Sequence, residues 1–361
     1  MGAPAQQTSR RYYFMDAANV AACFAVVMLH CSNIVFANTG DFQWHRAVIV
    51  QSTFIFAVPF FLMISGANLL GYRKRYTTIE FFKKRASRIL GVFFGCSVLF
   101  YLVSGLFPLQ FGYEPHAMSL GDFIYSFLTN NINDVYWYFY AIIALYLVTP
   151  VFSLLAERHS TLRYALIICI VMSICFPFVE RIAPWPHALA SFYVPYLSSW
   201  LTYYLLGYYL VHCFNRRINS GLLIAVFVAS VAASSFLTFH TNETALLVDP
   251  AAPYDNYYAG VFGPFEFIGI CSLFLLFKQS DKLFSKARLP VILRSLSALS
   301  LGIYAIHMLW LRLFETTVPA LEGSLILLPI VVFLLSALTV WSFRLVVKLC
   351  RRSNNTRMTP L

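Results

Sequence analysis

Ten apolar blocks, each about the length of one bilayer crossing, leave this chain little choice of architecture. They lie near 14–36, 48–70, 88–108, 136–155, 163–180, 192–213, 220–240, 257–277, 296–314 and 323–347. A helix needs ~20 mostly apolar residues to cross the hydrocarbon, and there only helices and closed barrels satisfy their own backbone. The blocks predict an all-α polytopic membrane protein with about ten transmembrane helices. Composition agrees, since only 11% of the 361 residues are charged, against about 25% in a soluble domain. One membrane domain over 14–347 is expected, between a short segment 1–13 and a polar, disordered tail 348–361. The first block is a full-length span with polar residues and no small-residue cleavage site, so it does not read as a signal peptide.

Net charge is +11, which gathered on one surface would suit nucleic acid. Here the cations sit in short loops instead, so no nucleic-acid partner is expected and membrane lipids are. With the N-terminus in the cytoplasm, all of the 26 Lys and Arg fall inside except Arg46, Arg181 and Arg312. The positive-inside rule selects that orientation, and an even span count returns the C-terminus to the cytoplasm. The eight cysteines show no CxxC or metal-type spacing and read as small buried hydrophobes; no metal site is expected. The outer loops 37–47, 109–135, 181–191 and 241–256 are rich in Asn, Asp, Pro and aromatics. Within them Leu120–Leu128 reads as a short interfacial helix. Clusters such as Tyr136-Trp137-Tyr138-Phe139-Tyr140 read as the aromatic belt at a span end, with a minority, Trp137 among them, available as a platform for a sugar ring. No inverted or parallel repeat is visible, which disfavours the common transporter plans.

Ionisable groups inside spans are costly and tend to be functional. The first span carries Asp16, Asn19 and His30. Asn19 and His30 are eleven residues apart, which puts them on one helix face, ~16 Å apart along the axis. An imidazole there suits a general base that takes a proton from a hydroxyl. Glu266, in the outer half of the eighth span, is expected at the same depth, where it could orient the imidazole or stabilise its charged form. Pro59, Ser65, Gly66 and Asn68 end the second span and favour close helix packing. Tyr304 and His307 of the ninth span are candidates to line the same cavity. The inner loop 72–88 holds Arg75, Lys84, Arg85 and Arg88. Arg85 and Arg88, at i and i+3, share a helix face, and paired guanidinium groups suit a phosphate or pyrophosphate.

In chain order these segments resemble the acyltransferase-3 family of integral membrane O-acyltransferases. The resemblance rests on Asp16…His30, Val58-Pro59-Phe60-Phe61-Leu62-Met63-Ile64-Ser65-Gly66, Phe82-Lys83-Lys84-Arg85-Ala86-Ser87-Arg88, Tyr136-Trp137-Tyr138-Phe139, Leu145-Tyr146-Leu147-Val148-Thr149-Pro150, Tyr204-Leu205-Leu206-Gly207-Tyr208-Tyr209 and Ser300-Leu301-Gly302-Ile303-Tyr304-Ala305-Ile306-His307. It implies a multi-pass protein of the bacterial cytoplasmic membrane. Its activity would move an acyl group, usually acetyl, from cytoplasmic acyl-CoA to a hydroxyl of an extracytoplasmic glycan or lipid-linked sugar. His30 would be the catalytic histidine, assisted by Glu266 and Asn19. Arg85 and Arg88, with Lys84 and Arg75, would hold the donor, acetyl-CoA. Trp137, Tyr304, His307, Ser65 and Asn68 would face the acceptor. The family's first helix often has Arg where this chain has Asn19, and Asn cannot supply a fixed charge to a CoA phosphate.

Two mechanisms stay open at this stage, direct transfer and a transient acyl-histidine. So do the acceptor, the acyl group and the oligomeric state, a homodimer included. A rival of another class is a transporter or polysaccharide exporter in which His30 and Glu266 relay protons. A catalytically silent scaffold is the remaining reading, and it gives His30 nothing to do.

Overall fold

The structure, a computed structural model, describes residues 12–183, 200–318, 321 and 323–357, with side chains to Cys350. Among the described residues every regular element is helical. The α-helices are α1 (Tyr13–Cys31), α2 (Phe42–Phe54), α3 (Ala57–Leu69), α4 (Thr78–Leu106), α5 (Leu120–Leu128), α6 (Trp137–Ala156), α7 (His159–Ile170), α8 (Phe176–Ile182), α9 (Trp200–His212), α10 (Ser220–Val248), α11 (Pro264–Gln279), α12 (Asp281–Phe284), α13 (Leu289–Thr317) and α14 (Leu327–Arg357). Eight stretches are long and apolar enough to cross a membrane; α2 with α3 makes one of them, and α7 with α8 another. The remaining two expected spans correspond to α9 and α11, of 13 and 16 residues. Almost every α9 side chain from Leu201 to Val211 is buried, so protein rather than lipid surrounds this part of the chain. The beginning of that expected span, the end of the loop 181–191 and most of segment 1–13 lie outside the described residues.

Hydrogen bonds sort the helix ends onto two faces. On the basic one, the Phe14 amide donates to Asp281 Oδ1 at 2.8 Å, His212 Nε2 lies 2.9 Å from the Ala67 carbonyl, Arg73 Nε donates to Ser153 Oγ at 2.8 Å, and Lys278 Nζ donates to the Leu210 and Phe214 carbonyls at 2.6 Å. On the opposite one, Asn38 Nδ2 reaches the Ala252 carbonyl at 2.8 Å, His45 meets Glu243 at 2.6 Å, and Arg181 pairs with Asp255. Consecutive passes therefore alternate in direction.

Packing follows the small residues. α3 makes its most extensive contact with α9, and glycines on both sides permit it. A Cβ at Gly66 would overlap the Tyr204 carbonyl, and one at Gly207 the Met63 backbone. Ser173, in a π-turn at Val171–Cys175 between α7 and α8, shares a hydrogen bond of 2.8 Å with Thr202 of α9.

Four local expectations change. The second span is broken at Ile55–Phe56, because Pro59 has no N–H for the Ile55 carbonyl, and its first half starts at Phe42. α10 runs on to Val248, so 241–248 is helix rather than loop. α14 continues to Arg357, and the tail expected to be disordered begins as helix. Tyr136, Tyr138 and Phe139 are 1%, 7% and 0% exposed, so they are core and not belt. Their rings gain protein partners: Phe139 stacks on Phe93 at 4.8 Å and Tyr138 meets Tyr304 edge-on at 5.2 Å. The helix expected at 120–128 is there as α5, capped by Ser119.

Candidate active site

α1 and α13 lie side by side and run the same way, joined along one stripe of each. Asn19 Nδ2 donates to the carbonyl and hydroxyl oxygens of Ser297 at 3.1 and 2.9 Å. One turn on, Cys23 Sγ reaches the Ser300 carbonyl at 3.6 Å. Further along the same stripes the His30 and His307 rings face each other, centroids 5.2 Å apart and planes 37° apart. The spacing explains the match: His30 follows Asn19 by eleven residues and His307 follows Ser297 by ten, close to three turns in each case. Asn19 thus sets the register of the two helices, and with it the histidine pair.

His307 is fully buried, and its Nδ1 lies 2.7 Å from the Tyr304 carbonyl oxygen. A carbonyl only accepts, so Nδ1 carries the hydrogen, and in the neutral ring Nε2 is a lone pair; it has no partner. Taken as a residue, His30 at the end of α1 is intermediate in exposure. Tyr304 donates its hydroxyl to the Val135 carbonyl, while Tyr136 donates back to the Ala305 carbonyl at 2.9 Å. These reciprocal ties lock α13 to the start of α6. Ser65 of α3 lies within hydrogen-bonding reach of the Tyr138 hydroxyl, beside Tyr304. Ser65, Tyr304, His307 and His30 therefore belong to one buried neighbourhood.

Glu266 does not join them. It is 1% exposed in the first turn of α11, which packs chiefly on α10, and its carboxyl lies by Ser52 of α2 and Ser234 of α10. No hydrogen bond or ion pair links it to His30, and Oε1 has no partner. The register of α11 turns the carboxyl toward Ser234 of α10 and Ser52 of α2. Trp137 stacks on Trp200 at 4.9 Å, which covers one face of the indole. Asn68 lies at the basic end and bonds the Ile64 carbonyl of its own helix at 2.8 Å.

The basic loop divides into anchored and open cations. Arg75 donates to the Asn68 carbonyl, and Lys84 Nζ sits 4.4 Å from the centroid of the Tyr76 ring. α4 then starts with a capping box, in which Glu80 N donates to Thr77 Oγ1 at 3.3 Å and Thr77 N to Glu80 Oε2 at 2.9 Å. Two turns later Arg85 and Arg88 both lie within electrostatic reach of the Tyr146 hydroxyl, and Arg85 Nε is buried without a partner. Arg88 also feels Arg344 of α14, whose Nη2 is fixed on the Ala298 carbonyl at 2.6 Å. Like charges gathered this way with an orphaned N–H fit an anion between them. Arg344 was not singled out by the sequence, where it reads as one more inner-side cation.

A family model described as an acyltransferase domain (Acyl_transf_3) matches residues 12–345. No curated protein and no solved structure matches the chain.

Proposed function

The chain belongs to the acyltransferase-3 family, and from that membership we propose an O-acyltransferase of the bacterial cytoplasmic membrane. It moves an acyl group, acetyl in our reading, from cytoplasmic acyl-CoA to a hydroxyl of a glycan or lipid-linked sugar at the outer face. The observation that carries this is the layout along α13: His307 beside the His30 imidazole toward one end, and Arg344, with Arg88 in electrostatic reach, held at Ala298 toward the other.

His30 takes the proton of the acceptor hydroxyl as its oxygen attacks the thioester carbonyl. The tetrahedral intermediate collapses with cleavage of the C–S bond. The imidazolium returns its proton to the leaving thiolate, so that ester and CoA thiol are the products. Arg85 and Arg88, with Arg344 behind them, neutralise donor phosphates. His307, anchored on Tyr304, positions His30; this task falls to it in place of Glu266. We take direct transfer rather than an acyl-histidine, since a single proton transfer out and back through His30 then completes the reaction.

The test is reconstitution. Purified protein in vesicles that contain the membrane glycans of its source is given labelled acetyl-CoA on the basic-loop side. Label on glycan at the opposite face, with one CoA thiol released per label, is the expected result. Retention of label on CoA in every preparation overturns the proposal.

A further inference from the structure

Beyond His307, the segment joining α4 to α5 is pinned to the last turns of α13. Thr316 Oγ1 donates to the Gln110 carbonyl at 2.6 Å, and Gly112 turns the chain beside it at φ +63°. The turn seats Tyr113 against Arg312, whose Cζ lies 4.4 Å from the ring centroid. The Tyr113 hydroxyl is within electrostatic reach of Arg312, Asp134 and the Tyr136 hydroxyl, and the Asn133 carboxamide lies near that same Tyr136 hydroxyl without hydrogen-bond geometry. These groups thus cluster between the loop and α13.

The cluster's polar inventory does not close. Arg312 Nε, the Tyr113 hydroxyl and Asn133 Nδ2 are each buried without a hydrogen-bond partner, and Asn133 is only 4% exposed. Buried polar groups are normally paired, so unmet donors at one place mark a space for an acceptor-rich ligand. All three are donors, because burial pushes the Tyr113 phenol up and keeps it protonated, Arg312 notwithstanding. Charge points the same way. Of the outer cations, Arg181 pairs with Asp255 and Arg46 lies over the Phe42 ring. Asp134, the carboxylate within electrostatic reach, faces Tyr113.

We propose that Arg312, Tyr113 and Asn133 form the acceptor subsite, and that the acceptor carries a carboxylate or phosphate close to the hydroxyl that is acylated. Arg312 follows His307 by five residues, a rise of ~7.5 Å and a turn of ~140° round α13, and the two are linked through Tyr136 and Tyr304, whose hydroxyls tie α13 to the turn before α6. That separation suits a charge on the sugar next to the acylated one. The role as acceptor subsite rests on the acyl-transfer reading, whereas anion binding at this place does not.

The experiment is a calorimetric titration of the full chain in lipid nanodiscs. The probes are a glucuronate-containing disaccharide, its neutral methyl ester and glucose 1-phosphate, the last two separating charge from shape and carboxylate from phosphate. At least one charged probe should bind about tenfold tighter than the ester, as a charge-assisted contact allows. Arg312→Gln should erase the preference and Arg312→Lys keep part of it, while His30→Ala retains it in full. If Arg312→Gln does not fold, Asn133→Asp reads the same point by weakening the charged probe and sparing the ester. Equal binding of acid and ester, or a preference that survives Arg312→Gln, overturns the proposal. Anion preference without any acetyl transfer removes the acyl-transfer reading and leaves the anion site. Transfer to charged and neutral acceptors alike removes the subsite and leaves the reading.

Discussion

His30 and Glu266 invite pairing in the sequence, two ionisable groups in outer half-spans, and no hydrogen bond or ion pair joins them in the fold. His30 faces His307 at 5.2 Å, and Glu266 lies with Ser52 and Ser234. The consequence is testable at single residues. Glu266→Gln, which keeps shape and removes the charge, should leave kcat within about threefold, whereas His307→Ala should cost on the order of 10²-fold, the usual weight of a group that supports general base catalysis. Steady-state CoA release by the two variants checks this, and a larger loss from Glu266→Gln would return the carboxyl to the active site. Asn19 also changes meaning at this scale. It stands where the family's first helix often has Arg, and here it sets the α1–α13 register through two bonds to Ser297.

At the level of helices, the α3–α9 crossing is the seam where a single methyl matters most. Gly66 and Gly207 let two backbones touch, and neither neighbour is the movable end of a side chain. Gly66→Ala should therefore destabilise the protein by about 1–3 kcal/mol, the cost of overpacking a close contact. Gly91, on an open face of α4 with nothing within 4 Å, is the matched control. Gly91→Ala should be neutral or stabilise by about 0.5–1 kcal/mol, because alanine is the better helix former. Thermal unfolding in one detergent, followed by the loss of near-ultraviolet circular dichroism, compares the two. The element pattern was otherwise legible: apolar length gave the passes, and Ser119 with the apolar run behind it gave α5. What stayed hidden were the break at Ile55–Phe56 and the length of α10, since hydropathy records how apolar a stretch is and not where a helix turns or ends.

On the scale of the whole molecule, the asymmetry of Lys and Arg already separated two faces, and the hydrogen bonds between helix ends agree with it. The basic end, where the donor is proposed to bind, was half legible. Arg85 and Arg88 stood out through their i, i+3 spacing, but Arg344 arrives from the far end of the chain, and only folding brings it to Arg88. The His30–His307 meeting was hidden for the same reason, being 277 residues apart, although each histidine could be singled out alone. The two-sided layout predicts that Arg85→Ala combined with Arg88→Ala raises KM for acetyl-CoA at least about tenfold, two charge-assisted contacts being lost, and leaves the ranking of acceptors unchanged. An altered acceptor ranking in that variant would mean the two ends are not separate sites. The most direct test of the central claim is CoA thiol release from acetyl-CoA by purified His30→Ala, folded by gel filtration, beside the unsubstituted protein with the same acceptor. The account predicts acceptor-dependent release from the unsubstituted protein and background release from the variant; equal release from both would contradict it.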